Sequence, residues 1–170
     1  MTRKENLRRM WEALGRMTST FAMLDLTMHH LVWGLIGVGN PAGRAVTDRM
    51  TVLQLVELTE RLVDEGIPRD EGRRERVRRV VAGVKRVNED RNRFTHALLA
   101  VEESGPRMAR IREVVRGRDA FEAVDVSHVD NLRERCGDLV GEMAVLWGEM
   151  VEEVGAVRTF GDLWRQEKQE

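Results

Sequence analysis

The stretch Val77–His96 reads VRRVVAGVKRVNEDRNRFTH. Val77, Val80, Val84 and Val87 recur every three or four positions, the repeat of one face of an α-helix. The row continues through Arg91 and Phe94 to Leu98, so an arginine occupies a place where the pattern asks for an apolar side chain. A guanidinium buried without partners costs several kcal/mol. Arg91 must therefore run its stem out toward water, pair with an acid of its own chain, or line a polar cleft. Spacing alone leaves these three open.

The same 3-4 repeat extends on both sides of this helix. Leu7, Trp11, Leu14, Met17, Phe21, Leu24, Met28, Leu31 and Leu35 predict one long helix, or two broken near Thr18-Ser19-Thr20, stopping at Gly37-Val38-Gly39-Asn40-Pro41. A second helix is expected from Thr51, whose Gln54 three residues on makes a capping-box pattern, to Gly66 and Pro68. The third runs from about Arg69 to Ala100. Leu99 to Arg112 then reads as a short hairpin or irregular excursion around the turn sequence Glu103-Ser104-Gly105-Pro106. Ser127 is an expected N-cap, and Leu132, Cys136, Leu139, Met143, Leu146, Met150 and Val154 mark a last long helix. The expectation is an all-α protein: an antiparallel bundle of four to five long helices with a hairpin-like excursion after the third. It is expected as a single domain over 1–170, with its core at about 4–157 and a short tail. The 3-4 seam of the last helix can also pack against a second copy.

Bulk properties narrow the function. A net charge of −1 gives no whole-protein field to draw in a polyanion, so any nucleic-acid site must be local. The single cysteine, Cys136, cannot make an internal disulfide or a four-cysteine zinc site, and its apolar stripe makes it a core thiol. Thr2 to Arg9 is polar and leads directly into an amphipathic pattern, so no secretory signal is expected. The longest apolar run, Leu31 to Val38, is far short of the roughly 20 residues that span a bilayer. A cytoplasmic protein without membrane contact is the expectation.

Around Arg91 the polar residues fall into order. Asn88, Asn92 and His96 are spaced four apart and share one helix face. Arg91 and His96, five apart, diverge by about 140° on an ideal helix. They meet only through the reach of arginine, a change at the helix end, or an interface with a second chain. Arg91-Asn92-(three residues)-His96, late in a long helix of an all-α bundle, resembles the R-x4-H signature of the HEPN superfamily, with the Arg-Asn pairing of its commoner form. The order of elements is similar over residues 4 to 157.

That resemblance implies a metal-independent RNA endonuclease working as a homodimer, with no cofactor and no metal. His96 would be the acid or base in attack of a ribose 2′-OH on the adjacent phosphate, a task suited to an imidazole with an ordinary pKa near 6.5. Arg91 would hold the phosphate and stabilise charge in the transition state. Asn92 would orient His96 or the local backbone. Asp90 or Glu89 would orient Arg91. A toxin or phage-defence setting, with an antitoxin or regulatory partner, rests on the family resemblance alone. Some members carry a tyrosine two residues after the histidine, which a partner nucleotidyltransferase modifies. That position is Leu98 here and the chain has no tyrosine, so no such partner is expected. The other readings are a non-catalytic HEPN-like dimer that binds a nucleotide, RNA or protein, and a helical interaction module in which Arg91 forms an internal ion pair.

Two basic stretches are candidate RNA tracks. Arg73 to Arg86 carries seven cations against Glu75, and Arg107 to Arg118 five arginines against Glu113. The second follows the motif directly, which makes Arg93, Arg107, Arg110 and Arg112 the RNA-contact candidates. For each stretch a solvated helix or hairpin face is the plainer reading. Asp25 and His29 have metal-ligand spacing but no evident third ligand. Gly37, Gly39 and Ala42 match G-x-G-x-x-A without the strand a dinucleotide site requires, and read as a connecting loop.

Overall fold

The computed structural model describes residues 3–95, 98–102, 105–115, 118–124 and 126–153. The chain forms five helices in these residues: α1 (Arg3–Ile36), α2 (Asn40–Thr47), α3 (Val52–Asp64), α4 (Glu71–Thr95) and α5 (Val126–Glu153). Between α4 and α5 come three strands, β1 (Leu98–Glu102), β2 (Gly105–Val115) and β3 (Arg118–Val124). The helices pack as a bundle, and the all-α expectation holds. Three of them are long and two short, where four to five long ones were expected.

Each boundary has a local cause. α1 passes through Thr18-Ser19-Thr20 unbroken, with the Thr18 and Thr20 hydroxyls donating to the carbonyls of Leu14 (2.9 Å) and Arg16 (3.1 Å) rather than capping a new helix. It ends at Gly37, with φ +67°. There the Gly37 N–H bonds to the Gly34 carbonyl and that of Val38 to the Trp33 carbonyl, the paired closure a left-handed glycine permits. Gly66, with φ +82°, closes α3 in the same way through Gly66 to Val63 and Ile67 to Leu62. The Thr51–Gln54 capping box forms as expected, with both reciprocal bonds present.

The sequence predicts a helix stop between Gly37 and Pro41 and the next helix only from Thr51. The structure instead starts α2 at Asn40, with the proline in its first turn, where its missing N–H costs nothing. α4 is shorter than expected and does not reach Ala100, because Leu98–Glu102 pairs antiparallel with β2. The expected hairpin is a three-stranded meander of order β1-β2-β3, in which the eleven-residue β2 gains a second antiparallel partner in β3.

Contacts divide the chain into two compact units, Met1–Met23 with Arg86–Asp138, and Leu24–Lys85 with Leu139–Glu170. In the first, Met10, Met17, Phe21, Val129, Leu132 and Cys136 are buried. Two ion pairs join its elements: Arg16 to Asp130 at 3.5 Å and Arg135 to Asp90 at 2.8 Å. In the second, α4 runs antiparallel to α5, since Arg76 reaches Glu149 while Gly83 faces Leu139. α1 runs parallel to α5 there, with His30 on Trp147 and Gly34 against Trp147 and Met150. α2 is fixed to α1 through Thr47, which is wholly buried. Its hydroxyl accepts from Trp33 Nε1 at 2.9 Å, lies 2.9 Å from His29 Nδ1 and donates to the Gly43 carbonyl at 3.0 Å.

Among the described residues no single helix is long and apolar enough to cross a membrane.

Candidate functional site

α4 is set in place from its start. The Asp70 carboxylate accepts from the Arg73 backbone N–H at 2.6 Å, and Arg74 donates to the carbonyls of Gly66, Pro68 and Arg69, clamping the α3–α4 connection. The stripe then behaves as its spacing requires, with Val77, Val80, Val84 and Val87 all buried. Arg91 takes the next place and is half-buried. Its guanidinium carbon lies 4.9 Å from the ring centroid of Phe21, which is itself 7% exposed. Nη1 donates to Asn92 Oδ1 at 3.2 Å. The ring meets the charge through its electron-rich face, an arrangement that is worth ~0.5–2 kcal/mol depending on desolvation. Neighbours in a helix do not ordinarily face each other. Here the long arginine side chain doubles back, so Arg91 and Asn92 form one polar unit on α4.

Asn88, one turn before Asn92, is 7% exposed, and Asn92 is half-buried. The polar row of α4 is therefore set into the surface of the first unit, at least at its first two members. Asp90 Oδ2 accepts from Arg135 Nη1 at 2.8 Å, so this candidate orienting acid ties α4 to α5. Glu89 is exposed to solvent. Phe94 is half-buried rather than fully in the core. His96 lies outside the described residues. Arg93 is on α4, and Arg107, Arg110 and Arg112 are on β2, where the register pairs them with Ala100, Glu122 and Ala120.

The first basic stretch is largely spoken for within the second unit. Arg73 and Arg76 reach Glu149, Arg74 and Arg78 reach Glu71, and Lys85 holds Glu60 at 2.6 Å. Bonds from Arg74 and Arg78 hold the Glu71 carboxyl below its usual range. Carboxylates from α3, α4 and α5 neutralise this stretch, which favours the solvated-face reading over a phosphate track.

Among the described residues no group of three or more histidine, cysteine or carboxylate side chains is placed to hold a metal ion. His29 bonds to Thr47, and His30 stacks on Trp147 at 5.3 Å and meets the edge of Trp33 at 4.9 Å. Burial and then the neighbouring His29 lower the His30 pKa. Cys136 is buried, and burial pushes its thiol up to about 11 against the pull of Arg135.

Sequence reasoning singled out Arg91 and Asn92 but missed Phe21 and Arg135. Phe21 stood on the α1 stripe and Arg135 on a charged helix face. Neither position carries a signal of its partner, since both contacts are non-local. No family model matches the chain, and neither a curated protein nor a solved structure matches it.

Proposed function

We propose that the chain is a metal-independent RNA endonuclease of HEPN type, acting as a homodimer in the cytoplasm. The observation that carries this reading is Arg91 standing on the apolar stripe of α4, braced by Phe21 and bonded to Asn92. The planar fork of a guanidinium matches a phosphate, and the ring and amide partners of Arg91 limit the rotamers it must lose on binding. Arg91 holds the scissile phosphate, Asn92 sets its direction, and His96 moves the proton of the 2′-OH. Two chains bring His96 and Arg91 together despite their divergence on one helix. Arg93, Arg107, Arg110 and Arg112 contact the flanking backbone. Asp90 also holds α4 to α5 through Arg135. An antitoxin or other regulatory partner would act on this site.

The test is incubation of a mixed RNA pool with the purified protein in EDTA. Products ending in a 2′,3′-cyclic phosphate support the assignment. Intact RNA with a folded, dimeric protein removes it.

One observation favours a second reading, a non-catalytic dimer that binds nucleotide, RNA or a protein. Arg91 already has partners in its own chain, and these give it a structural role without chemistry. In that case RNA binds without being cut, and substitution of His96 leaves binding unchanged.

A further inference from the structure

Within the second unit α3 and α4 enclose a cavity of about 250 Å³. Its floor is apolar, built from Val63 of α3 and Val77 and Val81 of α4, all three buried. Thr59 also lines it and is wholly buried, but its hydroxyl donates to the Leu55 carbonyl at 2.8 Å, so it brings no free donor. The rim is charged, with Glu60 and Asp64 one turn apart on α3 and Arg78 on α4. The volume equals that of about eight waters of liquid. It falls just under the roughly 300–1,000 Å³ of sites for drug-sized ligands, so the occupant is small.

The three rim charges differ in what answers them. Glu60 holds Lys85 through both oxygens, at 2.6 and 2.9 Å. Arg78 lies 3.2 Å from Glu71 and 3.6 Å from Glu75. Asp64 is exposed, and its carboxylate has neither an ion pair nor a hydrogen bond among the described residues. The rim therefore carries one unanswered negative charge. Asp64 is also the last residue of α3, where the free backbone carbonyls of a helix end already gather negative potential. A cation in the last turn ordinarily offsets that potential. The one in α3 is Arg61, whose Nε turns back to the Glu57 carbonyl at 3.4 Å. Carboxylate and helix end thus act with the same sign on one edge of an apolar cavity. An anion is repelled there, and a neutral alcohol gains nothing from Asp64. An ammonium on a short hydrocarbon chain answers both the rim and the floor.

We infer that the cavity between α3 and α4 binds a primary aliphatic amine of about four to six carbons, with its ammonium on Asp64 and its chain over Val63, Val77 and Val81. This is independent of the proposed nuclease activity. The test is an amide-resolved NMR titration of the full chain with pentylammonium chloride at neutral pH. Three controls divide the ligand: 1-pentanol has the chain without the charge, ammonium chloride the charge without the chain, and pentanoate the opposite charge. The expected result is saturable shifts at the amides of residues 59–64 and 77–81 with pentylammonium, and binding about tenfold weaker or less with each control. Asp64→Asn removes the charge and breaks no contact of the fold. It should weaken pentylammonium about tenfold and leave 1-pentanol unchanged, a split that a damaged cavity would not produce. Absence of saturable shifts at these residues overturns the proposal. So does equal affinity for 1-pentanol and pentylammonium, or an Asp64→Asn chain that binds pentylammonium as the native one does. Tighter binding of N-acetyl-lysine methylamide than of pentylammonium overturns the small-amine assignment in favour of a lysine side chain from a partner protein.

Discussion

The guanidinium of Arg91 lies over the ring of Phe21, 4.9 Å from its centroid, and this contact joins α4 to α1 within the first unit. It explains how a cation holds a place on an apolar stripe. The charge meets a ring face, and one N–H is satisfied by Asn92.

Phe21→Leu should lower stability by about 1–3 kcal/mol, combining a smaller buried side chain with loss of the ring contact. A double-mutant cycle with Arg91→Met, read by urea unfolding, should give a coupling of ~0.5–2 kcal/mol. Additive effects would mean that the ring does not hold the guanidinium.

Two helical glycines, Gly43 and Gly83, differ in what an added Cβ would meet. A Cβ at Gly43 would stand 2.4 Å from the Trp33 ring, and Trp33 is held by its bond to Thr47. At Gly83 the obstacle is a terminal methyl of Leu139 at 2.6 Å, on a flexible side chain. Gly43→Ala should therefore cost about 1–3 kcal/mol and Gly83→Ala clearly less. Thermal melts of the two variants check the order, and equal losses would contradict it.

The His30 pKa is lowered from 6.5, chiefly by burial and then by His29. The unfolded chain thus binds the proton more tightly than the folded one, and stability rises with pH across this range. The contribution is intact at neutral pH and is lost as pH falls through 6.5 toward the lower folded value. Urea midpoints between pH 5 and 8 should show this fall, and His30→Phe should flatten it. An unchanged slope in the variant would assign the effect elsewhere.

Cys136 is fully buried, with its thiol pushed up to about 11. It should resist thiol reagents at pH 8 in the native state and react fully in denaturant. Cys136→Ser, which buries a hydroxyl in its place, should cost about 1–3 kcal/mol. Rapid labelling of the native protein would place the thiol at the surface.

The parts of the fold that were legible are those fixed by local chemistry. The valines of α4, the Thr51–Gln54 cap and the glycine stops at Gly37 and Gly66 each act within a turn or two of helix, and each is where the sequence places it. α2 was missed because a proline after a glycine stop reads as a loop, whereas in the first turn of a helix its missing N–H costs nothing. β3 was missed although it pairs with the adjacent β2, because Arg118, Asp119 and Glu122 give it little strand character. The oddity of Arg91 was visible as a break in a row of valines. Its support by Phe21, seventy residues away, was not, since both residues simply occupy stripe positions.

In the proposed function Arg91 and His96 perform phosphodiester chemistry on RNA without a metal. The most direct measurement is cleavage of a mixed RNA pool in EDTA by the native protein, by His96→Ala and by Arg91→Lys, each first shown to be folded and of the same mass in solution. The expected result is cutting with 2′,3′-cyclic phosphate ends by the native protein, none by His96→Ala, and a loss of roughly a hundredfold or more for Arg91→Lys, which cannot offer the planar fork. Cutting by His96→Ala at the native rate, or intact RNA with all three proteins folded and dimeric, would contradict it.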